Sequence, residues 1–159
     1  MQFVAIGSPI GALRVVFDEQ GVSRVLFEGE VLPEGAVEAD PDAAPWSLVV
    51  RFRRYFGGLL GALDAIPAAV SGSPFQSAAW AAVRAVPAGE VVTYQQLADR
   101  LGHPNGARAI GRAMATNLTP ILIPCHRVVA GDGSLAGYRG GATRKRWLLA
   151  HEAGQSSLF

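Results

Sequence analysis

The residues best equipped for chemistry lie in one stretch, Ile121-Leu122-Ile123-Pro124-Cys125-His126-Arg127-Val128-Val129, which holds the only cysteine of the chain. A cysteine attacks as its thiolate, and neighbours such as His126 and Arg127 favour that form by stabilising negative charge. A nucleophile beside a base is the outline of covalent catalysis. Apolar residues lead in and two valines lead out, so the polar trio sits between runs that read as buried. Taken alone, the stretch also fits an inert core thiol, because free cysteine is among the residue types most often buried.

A chain of 159 residues suits one domain, or a small domain fused to a slightly larger one. Half the residues are hydrophobic, enough for a core, yet no apolar run approaches the roughly 18 residues of a membrane span. Met1-Gln2-Phe3-Val4-Ala5-Ile6 lacks the basic start and small-residue cleavage site of a secretory signal. A single cysteine excludes an internal disulfide framework and fits a reducing compartment, so a cytoplasmic location is expected. The net charge of +1 hides an asymmetry: residues 1–70 balance to −4 and residues 71–159 to +5. A basic half points to a polyanionic partner, with an ordinary solvated surface as the alternative. Every basic residue except Lys145 is arginine, a side chain suited to phosphate.

Two regions of different texture must position these groups. In the first, β-branched and aromatic residues flank the turn signal Asp18-Glu19-Gln20-Gly21, which predicts a β-hairpin over 12–28. Ser8-Pro9-Ile10-Gly11 breaks the strand region before it. Residues 29–45 are acidic and contain Pro and Gly, and read as loop with at most a short strand. Trp46, Val49, Val50, Phe52 and Phe56 approach helical spacing, with Arg51, Arg53 and Arg54 mostly opposite, which predicts a helix over 46–56 stopped by Gly57-Gly58. No nucleophile, metal cluster or phosphate loop stands out here, and the region reads as a structural α/β domain. Residues 62–74, punctuated by Pro67, Gly72 and Pro74, read as the linker.

The second region reads as mostly helical. A helix over 75–86 places Phe75, Ala79, Ala82 or Val83, and Val86 along one face, and Pro87-Ala88-Gly89 ends it. Val91-Val92 leads into Thr93-Tyr94-Gln95-Gln96, which has the T-x-x-Q form of a capping box and opens a helix through Leu97, Ala98 and Leu101. After the break at Gly102–Gly106, a helix from Ala107 to about Thr116 is dense in small residues and bears Arg108 and Arg112. This is a helix-turn-helix pattern. Its small residues suit close approach to a nucleic-acid groove, although helical hairpins that bind nothing share the pattern. Asn117-Leu118-Thr119-Pro120 turns the chain into the Cys125 stretch, and Gly137-Tyr138-Arg139-Gly140-Gly141 reads as a flexible basic loop. A last helix from near Thr143 carries His151 and Glu152 and is capped by Gly154, and residues 155–159 read as a frayed tail. The fold class is therefore α+β: a small N-terminal α/β domain (1–70) with a β-hairpin sheet, then a mostly helical domain (71–159) with a helix-turn-helix and the cysteine loop.

With Pro124-Cys125-His126-Arg127 set beside Asn117 upstream and Glu152 downstream, the sequence closely resembles the O6-alkylguanine-DNA alkyltransferases, a family of direct-reversal repair proteins. The resemblance is dense over residues 73–154. It includes Ser73-Pro74-Phe75-Gln76, Val92-Thr93-Tyr94-Gln95-Gln96-Leu97-Ala98, Ala107-Arg108-Ala109-Ile110-Gly111, Gly137-Tyr138-Arg139-Gly140-Gly141 and Trp147-Leu148-Leu149-Ala150-His151-Glu152. Before residue 70 it is loose, resting mainly on Ser8-Pro9-Ile10-Gly11. The resemblance implies transfer of an alkyl group from O6-alkylguanine in double-stranded DNA, with O4-alkylthymine as a further candidate, to Cys125 after the nucleotide is flipped out. It makes Cys125 the nucleophile, His126 the base acting through a water, and Glu152 the carboxylate that orients the imidazole, a thiol version of triad logic. Asn117 then ties the helix-turn-helix to the active-site loop, and Tyr94 helps rotate the phosphate and protonates the departing guanine. Arg108 fills the space the flipped base leaves. The recognition helix of the family enters the minor groove, which suits the small Ala107, Ala109, Gly111 and Ala113. Thr93 and Arg112 join the implied DNA contacts, and Tyr138, Arg139 and Pro120 the implied base pocket. The resemblance calls for no cofactor, and implies a monomer acting on alkylated duplex DNA and not on a membrane.

Some members of that family bind zinc in the N-terminal domain through cysteine and histidine. Here no cysteine precedes Cys125 and no histidine precedes His103, so those ligands are missing. Related alkyltransferase-like proteins carry tryptophan in place of the nucleophile and only bind the lesion, whereas this chain keeps the cysteine. A thioether is not reversed by thiol exchange and no second thiol is present, which implies one turnover per molecule. Two other classes stand as alternatives, a non-catalytic lesion-binding module and a thiol hydrolase built on Cys125, His126 and Glu152. His103 and His151 read as structural or solvated.

Overall fold

The computed structural model describes residues 1–154, and the expected frayed tail at 155–159 lies outside the described residues. Two units divide the chain, Met1–Val70 and a second that begins at Ser71. In the first, the expected hairpin is β2 (Leu13–Asp18) and β3 (Gly21–Leu26), paired antiparallel with Val15 opposite Val25. Strand β1 (Gln2–Ile6) pairs antiparallel with β2, and the two-residue β4 (Val37–Glu38) pairs parallel with β1, giving the order β3-β2-β1-β4. The period of two along β1 turns Val4 and Ile6 into the core.

Helix α1 spans Leu48–Phe56 and starts two residues later than the periodicity predicts. Trp46 and Ser47 adopt left-handed backbone angles (φ 58° and 50°), which a right-handed helix excludes. With Trp46 outside the helix, the buried stripe re-centres on Leu48, Val49, Phe52 and Tyr55. Val50, assigned to the core by spacing from Trp46, is 45 % exposed. Arg51 also departs from the expected solvent face, donating from Nε to the Trp46 carbonyl and from Nη1 to that of Ala62.

Residues 62–70 are not a linker. Ala62, Leu63 and Ile66 are buried, and Val22 exchanges backbone hydrogen bonds with Pro67 and Ala69 (both 2.8 Å). A proline that only accepts is compatible with such an edge contact, so Pro67 marks the flank of β3 instead of a chain break. Gly21 makes the approach possible, since a Cβ there would lie 2.6 Å from the Pro67 carbonyl oxygen.

In the second unit, α2 (Pro74–Arg84) and α3 (Tyr94–Arg100) each open with a complete capping box, Ser73 with Gln76 and Thr93 with Gln96. Helix α4 covers Ala107–Ala115, and Trp80 Nε1 donates to the Ala113 carbonyl (2.8 Å), fastening α2 to α4. The short strand β5 (Val92–Thr93) pairs in parallel with β6 (Val128–Val129). That pairing ties the start of α3 to the chain just past Cys125. Helix α5 runs Gly141–Glu152, two residues longer at its start than expected, and Gly154 follows it in a left-handed conformation (φ 80°). No helix among the described residues is long and apolar enough to cross a membrane.

Candidate active site

The segment between α4 and β6 is buried yet has little regular structure, so its polar backbone must be satisfied locally. Asn117 does this. Its Nδ2 donates to the Ile123 carbonyl (2.9 Å), and its Oδ1 accepts from the Thr119 N–H (3.0 Å) and hydroxyl (3.2 Å). The Cys125 N–H in turn donates to the Ile123 carbonyl (2.8 Å). Within this network Ile121 is held at φ 73°, a conformation a β-branched residue rarely adopts. Cys125, His126 and Arg127 then form one 3₁₀ turn.

Cys125 borders a cavity of about 490 Å³ lined by Tyr94, Gly111, Met114, Ala115, Asn117, Pro120, Gly137, Tyr138 and Arg139. Its volume lies in the range of ordinary small-ligand pockets. A wider, more open hollow of about 880 Å³ lies in the first unit beside Met1, Phe17 and Trp46, but no nucleophile lines it.

Behind the thiol, His126 Nε2 lies 2.9 Å from Glu152 Oε2. Arg127 grips the same carboxylate in a fork, Nε to Oε1 and Nη2 to Oε2 (both 2.8 Å), and its Nη1 donates to the Val86 carbonyl (2.6 Å). Burial pushes the Glu152 carboxyl up, but the hydrogen bonds and charges of Arg127 and His126 outweigh it and hold the group far below the usual carboxylate range. A carboxylate only accepts, so the neutral imidazole carries its proton on Nε2 and its lone pair on Nδ1. That Nδ1 is buried and has no hydrogen-bond partner among the described residues. Burial lowers the His126 pKa against the opposing pull of Glu152, so the ring is neutral at pH 7. Burial raises the Cys125 thiol, against the lowering effects of a hydrogen bond from Asn117 and of the charges on Lys145 and Arg139. The same proximity raises Tyr94 and, more strongly, Tyr138, each chiefly through burial and secondarily through Cys125.

The structure brings Tyr94, Gly111, Asn117, Pro120, Cys125, Tyr138 and Arg139 to one cavity, with His126 and Glu152 behind it. Arg108 and Arg112 lie one turn apart and exposed on α4, with Ala107 and Ala109 half-buried. The Thr93 hydroxyl serves as the cap of α3, accepting from the Gln96 N–H. His103 is exposed with its ring edge-on to Phe75, and His151 is buried and stacked on Trp147. One expectation is corrected: Arg127 does not serve the thiol, because its guanidinium is committed to Glu152 and Val86, and Lys145 and Arg139 are the cations that act on Cys125. Lys145 was overlooked. It is fully buried in α5 and donates from Nζ to the Val128 carbonyl (2.8 Å), with a long contact to Gly137 (3.5 Å). Being the only lysine among arginines was the signal available. Met114 and Ala115 were also missed, although both lie at helical spacing from Gly111.

Residues 74–154 match the model of the 6-O-methylguanine DNA methyltransferase DNA-binding domain. The chain is 40% identical over 159 residues to the methylated-DNA–protein-cysteine methyltransferase of Shigella flexneri, covering 92% of each. It is 36% identical to the human protein of that name, covering 96% of this chain and 80% of the other. Its fold superposes on Mycobacterium tuberculosis OGT in complex with DNA with a TM-score of 0.87 at 30% identity, covering 98% of this chain and 95% of that one. Likeness of this extent, spanning both units and enclosing the cysteine turn, means that the chain belongs to the methylated-DNA–protein-cysteine methyltransferase family.

Proposed function

We propose that this protein repairs DNA by direct reversal, moving a methyl or larger alkyl group irreversibly from O6-alkylguanine to Cys125. The observation that carries this reading is Cys125 at the wall of the 490 Å³ cavity, backed by the buried His126–Glu152–Arg127 chain. The flipped nucleotide enters between Tyr94, Pro120, Tyr138 and Arg139, at an unstacking cost that is lower for a damaged pair. Because burial keeps Cys125 a thiol at neutral pH, deprotonation accompanies attack. The proton passes through a water to His126 Nδ1, the sulfur–carbon bond forms, and the O6–carbon bond breaks. Tyr94 gives a proton to the departing guanine and is reprotonated from solvent. Glu152 fixes the tautomer of His126 and stabilises the imidazolium it becomes, and Asn117 holds the cysteine turn on α4.

Arg108, Arg112 and Thr93, with the small Ala107 and Ala109 of α4, make the DNA-facing surface of a domain at 71–159, and residues 1–70 are a structural domain. The basic balance of the second region supports this division. With a lone thiol the protein acts once, as a monomer in the cytoplasm. Retention of the cysteine argues against a module that only flags lesions.

Intact mass after incubation with a duplex containing one O6-methylguanine tests the reading. A gain of one methylene, at most one per chain and mapped to the Cys125 peptide, is the expected result. Cys125→Ala should bind the lesion without any gain. Transfer persisting in that variant, or an unmodified wild-type thiol, would refute the proposal.

A further inference from the structure

Of the four non-glycine residues with positive φ among those described, Trp46, Ser47, Ile121 and Ala136, only Ile121 is β-branched. At φ 73° its Cβ crowds the backbone, and branching makes the left-handed region costlier still. A glycine would take this conformation freely, so the turn alone does not call for isoleucine. The side chain is buried, and Leu122 and Ile123 are buried after it. Strain of this kind persists only where the surrounding structure over-determines it, and it gathers at sites where position matters. Ile121 lies inside an α-turn in which the Ile123 N–H donates to the Thr119 carbonyl (2.9 Å), with Pro120 and Ile123 bridged across it. One flank of the turn, Pro120, lines the cavity. The other carries the Ile123 carbonyl, which accepts from Asn117 Nδ2 (2.9 Å) and from the Cys125 N–H (2.8 Å). A change of hand at residue 121 would swing that carbonyl and shift Cys125 relative to Pro120.

Resting on the repair reading above, we propose that Ile121 is a positioning residue for alkyl transfer: its left-handed backbone, held against its own strain by the buried side chain, aims Cys125 at the cavity. Asn117 also lowers the Cys125 thiol through a hydrogen bond. A relaxed turn therefore both displaces the nucleophile and makes it harder to ionise.

The experiment compares wild type with Ile121→Ala and Ile121→Gly, two truncations that differ in the cost of a positive φ. Transfer from a duplex containing one O6-methylguanine and the pH profile of Cys125 alkylation by iodoacetamide are measured for each. Alanine should lose roughly 100-fold in transfer, the scale of an ångström of misplacement, and should move the thiol profile to higher pH. Glycine, which takes the turn without strain, should recover most of the rate and the wild-type profile. A residue that only fills the core gives the opposite order, since glycine is smaller and freer in the unfolded chain. Glycine no faster than alanine, with the same thiol profile, would therefore overturn the proposal. If one of the two alone folds, glycine folding supports the proposal and alanine folding overturns it. If neither folds, Ile121→Leu decides, because it keeps the buried anchor and removes the branching. A loss of roughly 100-fold in that variant would overturn the lock, and a rate close to wild type would support it. If wild type takes no methyl group from the duplex, the repair reading itself fails, and the thiol profiles still test the turn.

Discussion

Replacing Glu152 with glutamine removes one charge while keeping the shape of the side chain. The carboxylate is fully buried and takes hydrogen bonds from His126 Nε2, Arg127 Nε and Arg127 Nη2, all within 2.9 Å. An amide keeps one accepting oxygen and turns an NH₂ group toward these donors, so the Arg127 guanidinium is left buried without its counter-ion. Breaking a buried ion pair from one side costs about 3–5 kcal/mol. A domain of this size loses roughly 2–4 °C of Tm per kcal/mol, so Glu152→Gln should melt about 6–20 °C lower at neutral pH.

The pH dependence separates lost charge from lost packing. The Glu152 carboxyl is held lower in the folded protein than its unfolded value of about 4.3. A depressed pKa contributes stability that is fully present above the unfolded value and is lost as pH falls through the folded one. Glutamine does not titrate, so the stability gap between wild type and variant should be widest near neutral pH and should shrink below about pH 4. Urea unfolding at both pH values reads it directly. In the same variant, alkyl transfer should fall by about 100-fold or more, the scale of a positioned general base, because a neutral amide no longer stabilises the imidazolium that His126 becomes. A gap that stays constant with pH, or a wild-type transfer rate, would refute the charge argument.

Two further outcomes follow from the cavity wall. Lys145→Met removes the cation beside Cys125 and the hydrogen bond to the Val128 carbonyl. The thiol should then require a higher pH for alkylation by iodoacetamide, and stability should drop by about 1.5–3 kcal/mol, as for a lost bond from a charged donor; an unmoved thiol profile would overturn the assignment of Lys145. Methylation of Cys125 adds volume to a residue only 9 % exposed, so the methylated protein should be about 1–3 kcal/mol less stable, and a melting curve unchanged by modification would show that the cavity accommodates the product freely.

Much of the architecture is legible because its signals are local. Asp18-Glu19-Gln20-Gly21 encodes the β2–β3 turn, and the T-x-x-Q and S-x-x-Q pairs encode the starts of α3 and α2 within four residues each. What escapes is set by segments distant in the chain. Pro67 reads as punctuation until its carbonyl is seen accepting from Val22, 45 residues upstream. Trp46 reads as the first residue of a helix because periodicity carries no information about the sign of φ. The errors in α1 come from that one residue, since Val50 was placed inside by counting from it.

The site follows the same division, and Arg127 shows why. In sequence it adjoins the thiol, and adjacency suggested that its charge would stabilise the thiolate. A 3₁₀ turn places successive side chains about 120° apart, so Cys125, His126 and Arg127 must leave the backbone in three directions. The turn can therefore present the sulfur to the cavity while the imidazole and guanidinium converge on Glu152 from the other side. The cations whose charge lowers the thiol come from elsewhere, from Lys145 of α5, twenty residues on, and from Arg139. Proximity along the chain marked the right residues for the chemistry and assigned one of them the wrong partner, because the turn that makes them neighbours also sends their side chains apart.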